Sequence, residues 1–91
     1  MKAKLIPVDK NVSAPYARHI GNKELILKVV EMSSQNLPYG GCPAILTDGV
    51  GWFSAELEVD PNEELLVAMA VNGYADEETA RCDAESRIRK G

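Results

Sequence analysis

Residues Trp52 to Val59 alternate strictly. Phe53, Ala55, Leu57 and Val59 fall on one side, and Trp52, Ser54, Glu56 and Glu58 on the other. A period of two predicts a strand with one apolar and one polar face. Such a strand needs neighbours to pair its backbone and a layer to cover its apolar face. At 91 residues, the chain has to find both within one small domain. Pro43 to Thr47 reads as the preceding strand, joined through the hairpin signal Asp48-Gly49, with Val50-Gly51 lengthening the turn. Asp60-Pro61-Asn62-Glu63 reads as the next turn. Leu65 to Val71 follows as a third strand with Leu65, Val67, Met69 and Val71 on one face, ended by Asn72-Gly73.

Residues 22–36 read as a helix. Asn22 suits its N-cap, and at 100° per residue Glu24, Lys28, Glu31 and Gln35 form one polar arc. Leu25, Ile26, Val29, Val30 and Met32 lie opposite, with Leu27 at the border. A strand would mix Lys28 with Ile26 and Val30 on one face. Leu37-Pro38-Tyr39-Gly40-Gly41 stops the segment. A second helix is predicted from about Asp76 to Lys90. Asp76 caps it, Glu77 and Glu78 suit its positive end, and Ala80, Ala84 and Ile88 form a small-residue stripe for close packing. Glu77–Arg81, Asp83–Arg87 and Glu85–Arg89 are i,i+4 pairs.

Residues 1–21 read as an extended arm. Lys4 to Val8 is a short edge strand within it, and Asn11 to Gly21 a loop. The expected architecture is α+β: a three-stranded antiparallel meander with two helices on one face, in the order α-β-β-β-α, forming a single domain over 22–91. The helices would cover the Phe53, Ala55, Leu57, Val59 face, leaving Trp52 outward; a reversed register would turn Trp52 toward them. The element order resembles that of double-stranded-RNA-binding domains. Where those domains carry a lysine cluster, at the start of the last helix, this chain has Asp76-Glu77-Glu78. Their function is therefore not carried over.

Charge is unevenly distributed. From Val29 to Ala80 there is no lysine or arginine, while Glu31, Asp48, Glu56, Glu58, Asp60, Glu63, Glu64, Asp76, Glu77 and Glu78 give a formal −10. Residues 1–28 carry +4 and residues 81–91 carry +2, leaving −4 overall. A solvated acidic face needs no partner. The missing counter-charges nonetheless make Trp52, Ser54, Glu56, Glu58, Asp60, Glu63 and Glu64 the candidate partner-binding surface, acidic with an aromatic anchor. The same field repels phosphates, so nucleic acid is not expected to bind the sheet directly.

No catalytic pattern is assembled. Cys42 follows Gly40-Gly41, with His19 the one histidine that could serve it as a base. An inert cysteine is the simpler reading, since nothing visibly lowers its pKa. Glu56 and Glu58 supply too few oxygens for a hard cation. Cys42, Cys82, His19 and a carboxylate make a weak zinc set. Neither glycine cluster is a phosphate-binding motif. No cofactor, metal or membrane span is expected, nor a disulfide between Cys42 and Cys82, and the cytoplasm is the expected compartment.

Three readings follow. The first is a small acidic regulator or inhibitor docking its sheet on a basic, nucleic-acid-handling protein, its carboxylates standing in for phosphates. Phage inhibitors of host defences offer a physical analogy. The second is an assembly module that forms a homodimer through its sheet and basic termini. The third, ranked last, is a small enzyme using Cys42.

Overall fold

The computed structural model describes residues 5–7, 16–34, 37, 40–60 and 65–90. Among the described residues six strands precede one helix: β1 (Leu5–Pro7), β2 (Tyr16–His19), β3 (Asn22–Ser33), β4 (Cys42–Thr47), β5 (Trp52–Asp60), β6 (Leu65–Tyr74) and α1 (Glu77–Lys90). The sheet order is β1-β3-β2-β6-β5-β4, and β3 also pairs with β4. Strands β2 to β6 therefore close into a five-stranded barrel, with β1 extending β3 at its far end. Consecutive strands run antiparallel, and the seam between β2 and β6 is parallel, as an odd-numbered meander requires. Closure gives the barrel strands partners on both edges over much of their length.

This corrects the expected three-stranded meander with two helices on one face. The three strands from Cys42 to Tyr74 and the C-terminal helix are present, but the segment read as a helix over 22–36 is the long strand β3. The predicted loop, Asn11 to Gly21, contributes β2; residues 11–15 lie outside the described residues. The αβββα order, and with it the likeness to double-stranded-RNA-binding domains, does not hold.

A bulge explains why β3 looked helical. Up to Val29 the strand alternates: Leu27 and Val29 are buried in the barrel, while Glu24, Ile26 and Lys28 are exposed. Register then shifts between Val29 and Glu31. The extra residue reverses the phase, so Met32 packs against the interior and Glu31 turns to the outside, opposite Ile45. A strand with one such break puts Glu24, Lys28 and Glu31 at spacings that imitate a helical arc.

Inside the barrel Leu27, Val29, Leu46 and Leu57 interleave with Ala17, Ala44, Ala55, Ala68 and Cys42. Small side chains on four of the five strands suit the interior of so narrow a barrel. Leu27 and Leu46 are fully buried, each worth roughly 1.5–3 kcal/mol of transfer free energy.

The face assignment was also incomplete. The Phe53, Ala55, Leu57 side of β5 lines the barrel, not a helix layer. Helix α1 packs on the outer side of β4, β5 and β6, where Ala80 and Ala84 meet Ile45, with Leu5, Trp52 and Tyr74 around them. Strand β4 is therefore buried on both sides, which accounts for its continuous apolar run. Asp76 Oδ1 accepts the Thr79 N–H at 2.7 Å and caps α1.

Candidate functional site

The residues expected to form one open acidic face are divided by the fold. Ser54 is fully buried and Trp52 is half-buried, both under α1. Glu56 lies on the same outward side, and Arg87 of α1 reaches it, Nη1 to Oε2 at 2.9 Å. Glu58, two residues on, is exposed. Asp60 ends β5 opposite Leu65. Glu63 and Glu64 lie outside the described residues. Trp52, Ser54 and Glu56 are thus gathered beneath the chain's own helix, and Glu58 stands clear of it.

Arg87 is the hub of this packing. Its Nη2 donates to the Ala70 carbonyl at 2.6 Å, and its Nε and Nη2 each lie 3.3 Å from Asp83 Oδ2. The Ala70 carbonyl is available because β6 is bulged there. Register shifts between Ser54 and Glu56, and Ala70 has a φ of 52°, the left-handed region that an alanine rarely occupies. Asn72 Nδ2 also donates to Asp83, at 3.3 Å. Burial pushes the Asp83 carboxyl up, but Ser54, Asn72 and Arg87 outweigh it and hold the pKa below the ordinary value. The Ser54 hydroxyl lowers it although it is buried without a well-formed hydrogen bond.

A second bridge stands further up the helix. Arg81 pairs with Glu31, which the β3 bulge has turned outward, and with Glu77 at 2.8 Å. Hydrogen bonding to Glu31 raises the Arg81 pKa above its already high value. Two of the carboxylates that lacked a basic neighbour in the sequence, Glu31 and Glu56, thus find one in α1. The arginines had been assigned to pairs within the helix, and Glu77–Arg81 and Asp83–Arg87 do form. What the reading missed is that the same guanidinium groups also reach the barrel. The signal was present: 52 residues without a basic side chain, followed by a helix with four.

Glu58 and Asp60 belong to the far end of β5, whereas three exposed carboxylates, Asp48, Asp76 and Glu78, stand at the opposite end of the barrel. Thr47, Trp52 and Tyr74 form a cross-strand row there. The β4–β5 turn beyond Thr47 presents exposed Asp48 and Val50, and the start of α1 beyond Tyr74 presents exposed Asp76 and Glu78. The turn is stiff: Asp48 Oδ1 accepts the Val50 and Gly51 N–H groups, both at 2.8 Å, and Thr47 Oγ1 donates to the Gly51 carbonyl at 2.7 Å. Those two backbone donors lower the Asp48 pKa. Val50, 92% exposed, is held out at the tip. The scan of family models and the searches of curated proteins and solved structures found no match to this chain.

Cys42 and Cys82 are both free thiols in different surroundings. Cys42 is buried in the barrel and its Sγ donates to the Ser33 carbonyl at 3.3 Å, not to an imidazole. Burial raises its pKa, against the opposing backbone hydrogen bond. His19 Nδ1 is buried and makes no hydrogen bond. Cys82 is free and exposed on α1. Among the described residues no three His, Cys, Asp or Glu side chains gather as metal ligands. No helix there is long and apolar enough to cross a membrane.

Proposed function

We infer that this chain is a small acidic regulator or inhibitor that binds a basic protein, and that its working surface is the end of the barrel around Trp52. One observation carries the reading. The sheet carboxylates Glu31 and Glu56 are paired with α1, whereas Asp48, Asp76 and Glu78 project at one end beside Trp52, Tyr74 and the rigid Val50 tip. Acidic side chains around a stiff apolar point steer a basic partner and give it a hydrophobic contact. A groove that ordinarily holds nucleic acid has the matching charge, and the carboxylates would take the place of phosphates there. The free thiols Cys42 and Cys82 suit the reducing cytoplasm, where we place the protein.

The test starts from a partner isolated from the native host. Affinity should fall as salt rises, because exposed pairs are screened over roughly 8–10 Å. The fluorescence of Trp52, the sole tryptophan, should change on binding. Val50→Lys with Glu78→Lys should weaken the complex while leaving the melting temperature nearly unchanged. Unaltered affinity in that folded variant would remove the barrel end as the working surface.

A further inference from the structure

Strand β6 is longer than the partner that closes the barrel against it. Strand β2 runs beside it from Ala17 at Leu66 to His19 at Ala68. The Ile20 N–H then donates to the Ala68 carbonyl at 3.0 Å, and the chain turns back into β3. Beyond Ala68, no strand among the described residues pairs with that side of β6. Its other side stays paired with β5 as far as Trp52 opposite Tyr74. Ala70 to Tyr74 therefore form an open edge about 17 Å long, at about 3.4 Å per residue.

The side chains along this edge set what pairs with it. Asn72 and Tyr74 lie on the helix side, and Val71 packs on the barrel interior. Gly73 stands opposite Phe53, whose ring would lie 3.4 Å from a Cβ at that position. Gly73 is exposed and Phe53 half-buried, so the ring has no side chain between it and the edge. An incoming strand has room to lay an apolar side chain there, beside half-buried Val71 and exposed Ile20. Past Tyr74 the chain leads directly to exposed Asp76 and Glu78. Carboxylates at that end favour basic side chains and disfavour phosphates. A second copy adding its own β6 would bring another acidic end with it.

We propose that the basic partner docks an extended segment on Ala70–Tyr74 as an additional strand. Its apolar residues would alternate inward over Phe53 and Val71, and its basic residues outward toward the acidic end. The proposal rests on the barrel-end reading and adds the mode of binding to it. Main-chain hydrogen bonds supply affinity in such a contact, and the alternating side chains supply specificity.

The probe is an octapeptide alternating lysine and valine, titrated into the full chain up to about 1 mM, a range that covers so small a contact. It should bind, shift the amide resonances of residues 71–74 and slow their hydrogen exchange. The same peptide N-methylated at every residue keeps its charge but has no backbone donors, and should bind about tenfold more weakly or worse. A glutamate–valine octapeptide should do likewise. Ile20→Lys, at an exposed turn position, should weaken the lysine–valine peptide about fivefold or more while circular dichroism shows the variant folded. No binding at about 1 mM would overturn the proposal, as would equal binding of the N-methylated peptide. So would shifts confined to the turn at Asp48–Gly51, or protection of residues 71–74 by self-association without peptide. These outcomes concern the edge alone. The barrel-end reading fails separately, if Val50→Lys with Glu78→Lys leaves the native partner's affinity unaltered.

Discussion

Arg87 Nη1 lies 2.9 Å from Glu56 Oε2, joining helix to barrel across 31 positions of chain, with the two side chains 12% and 15% exposed. The same guanidinium also holds the Ala70 carbonyl and the Asp83 carboxylate. Truncating it leaves a shielded carboxylate and an outward-turned carbonyl without their donor. Arg87→Ala should therefore destabilise the protein by about 2–4 kcal/mol, toward the range found when one partner of a buried pair is removed. Glu58→Lys, one alternation further along β5 and exposed, should change stability by less than about 0.5 kcal/mol. Urea denaturation of both variants gives the comparison. Equal effects would mean that the Arg87 bridge contributes little.

Helix docking can be tested from its apolar side too. Ala80 and Ala84 are fully buried against Ile45. Ala84→Asp should cost about 3–5 kcal/mol, because a carboxylate there has neither water nor a partner. Ala84→Ser, close to it in size, should cost much less. A melting temperature that scarcely moves in Ala84→Asp would mean that α1 does not rest on the barrel through this stripe.

The elements legible in the sequence were those with unbroken periodicity. Trp52 to Asp60 alternates along its length, and Asp76 with the arginine-rich end marks α1 at both termini. Strand β3 was misread because its bulge at Val30 inserts one residue into the pattern, and no local residue type announces a bulge. Strand β2 was missed because Tyr16 to His19 is too short to show a period, and its pairing with Leu66 to Ala68 is set by barrel closure. The surroundings of the candidate site were not legible for a related reason. Alternation correctly put Trp52, Ser54, Glu56 and Glu58 on one face, but which layer covers that face is a tertiary matter. In a closed barrel the apolar side of a strand turns inward, leaving the mixed side for the helix.

Acid should loosen the helix. The Asp83 pKa is lowered in the folded state, and so are those of Asp76 at the α1 cap and Asp48 in the β4–β5 turn. A depressed carboxyl pKa contributes stability that is complete above the unfolded value, about 3.9, and is lost as pH falls through the folded value. Stability should hold from neutral pH to about 5 on account of these groups, then decline below about 4. Asp83→Asn should lower stability at pH 7 and flatten the acid decline. Urea midpoints at pH 7, 4 and 3 would show this. A variant with the same acid slope as the wild type would exclude Asp83 as a source of it.

The two cysteines should differ sharply in reactivity. Cys82 is exposed on α1, while Cys42 is buried and its pKa is raised by that burial. Because the thiolate is the reacting form, a raised pKa and a closed barrel both slow Cys42. A disulfide-exchange reagent at pH 8 should label one thiol per chain rapidly and the second at the rate of barrel opening. Cys82→Ser should remove the fast phase. Rapid labelling that survives in Cys82→Ser would place Cys42 within reach of solvent and revive it as a nucleophile.

Ala70 offers the most direct test of the bulge that positions Arg87. With φ at 52°, Ala70 sits where its Cβ crowds its own backbone, at a cost of about 1–2 kcal/mol for an L-residue. Its side chain is exposed, so replacing it loses little packing. Glycine removes the strain but adds freedom to the unfolded chain, worth about 0.4–1 kcal/mol. The difference favours Ala70→Gly by about 0.5–1 kcal/mol. Ala70→Val should go the other way by more than about 1 kcal/mol, since a β-branched side chain tolerates positive φ least. Combining each change with Arg87→Ala gives a double-mutant cycle. If the strained carbonyl is held by the guanidinium, the cost of valine should differ between the two backgrounds. Strictly additive effects would show that the guanidinium does not hold the strained carbonyl, and a glycine variant less stable than the wild type would show that Ala70 carries little strain.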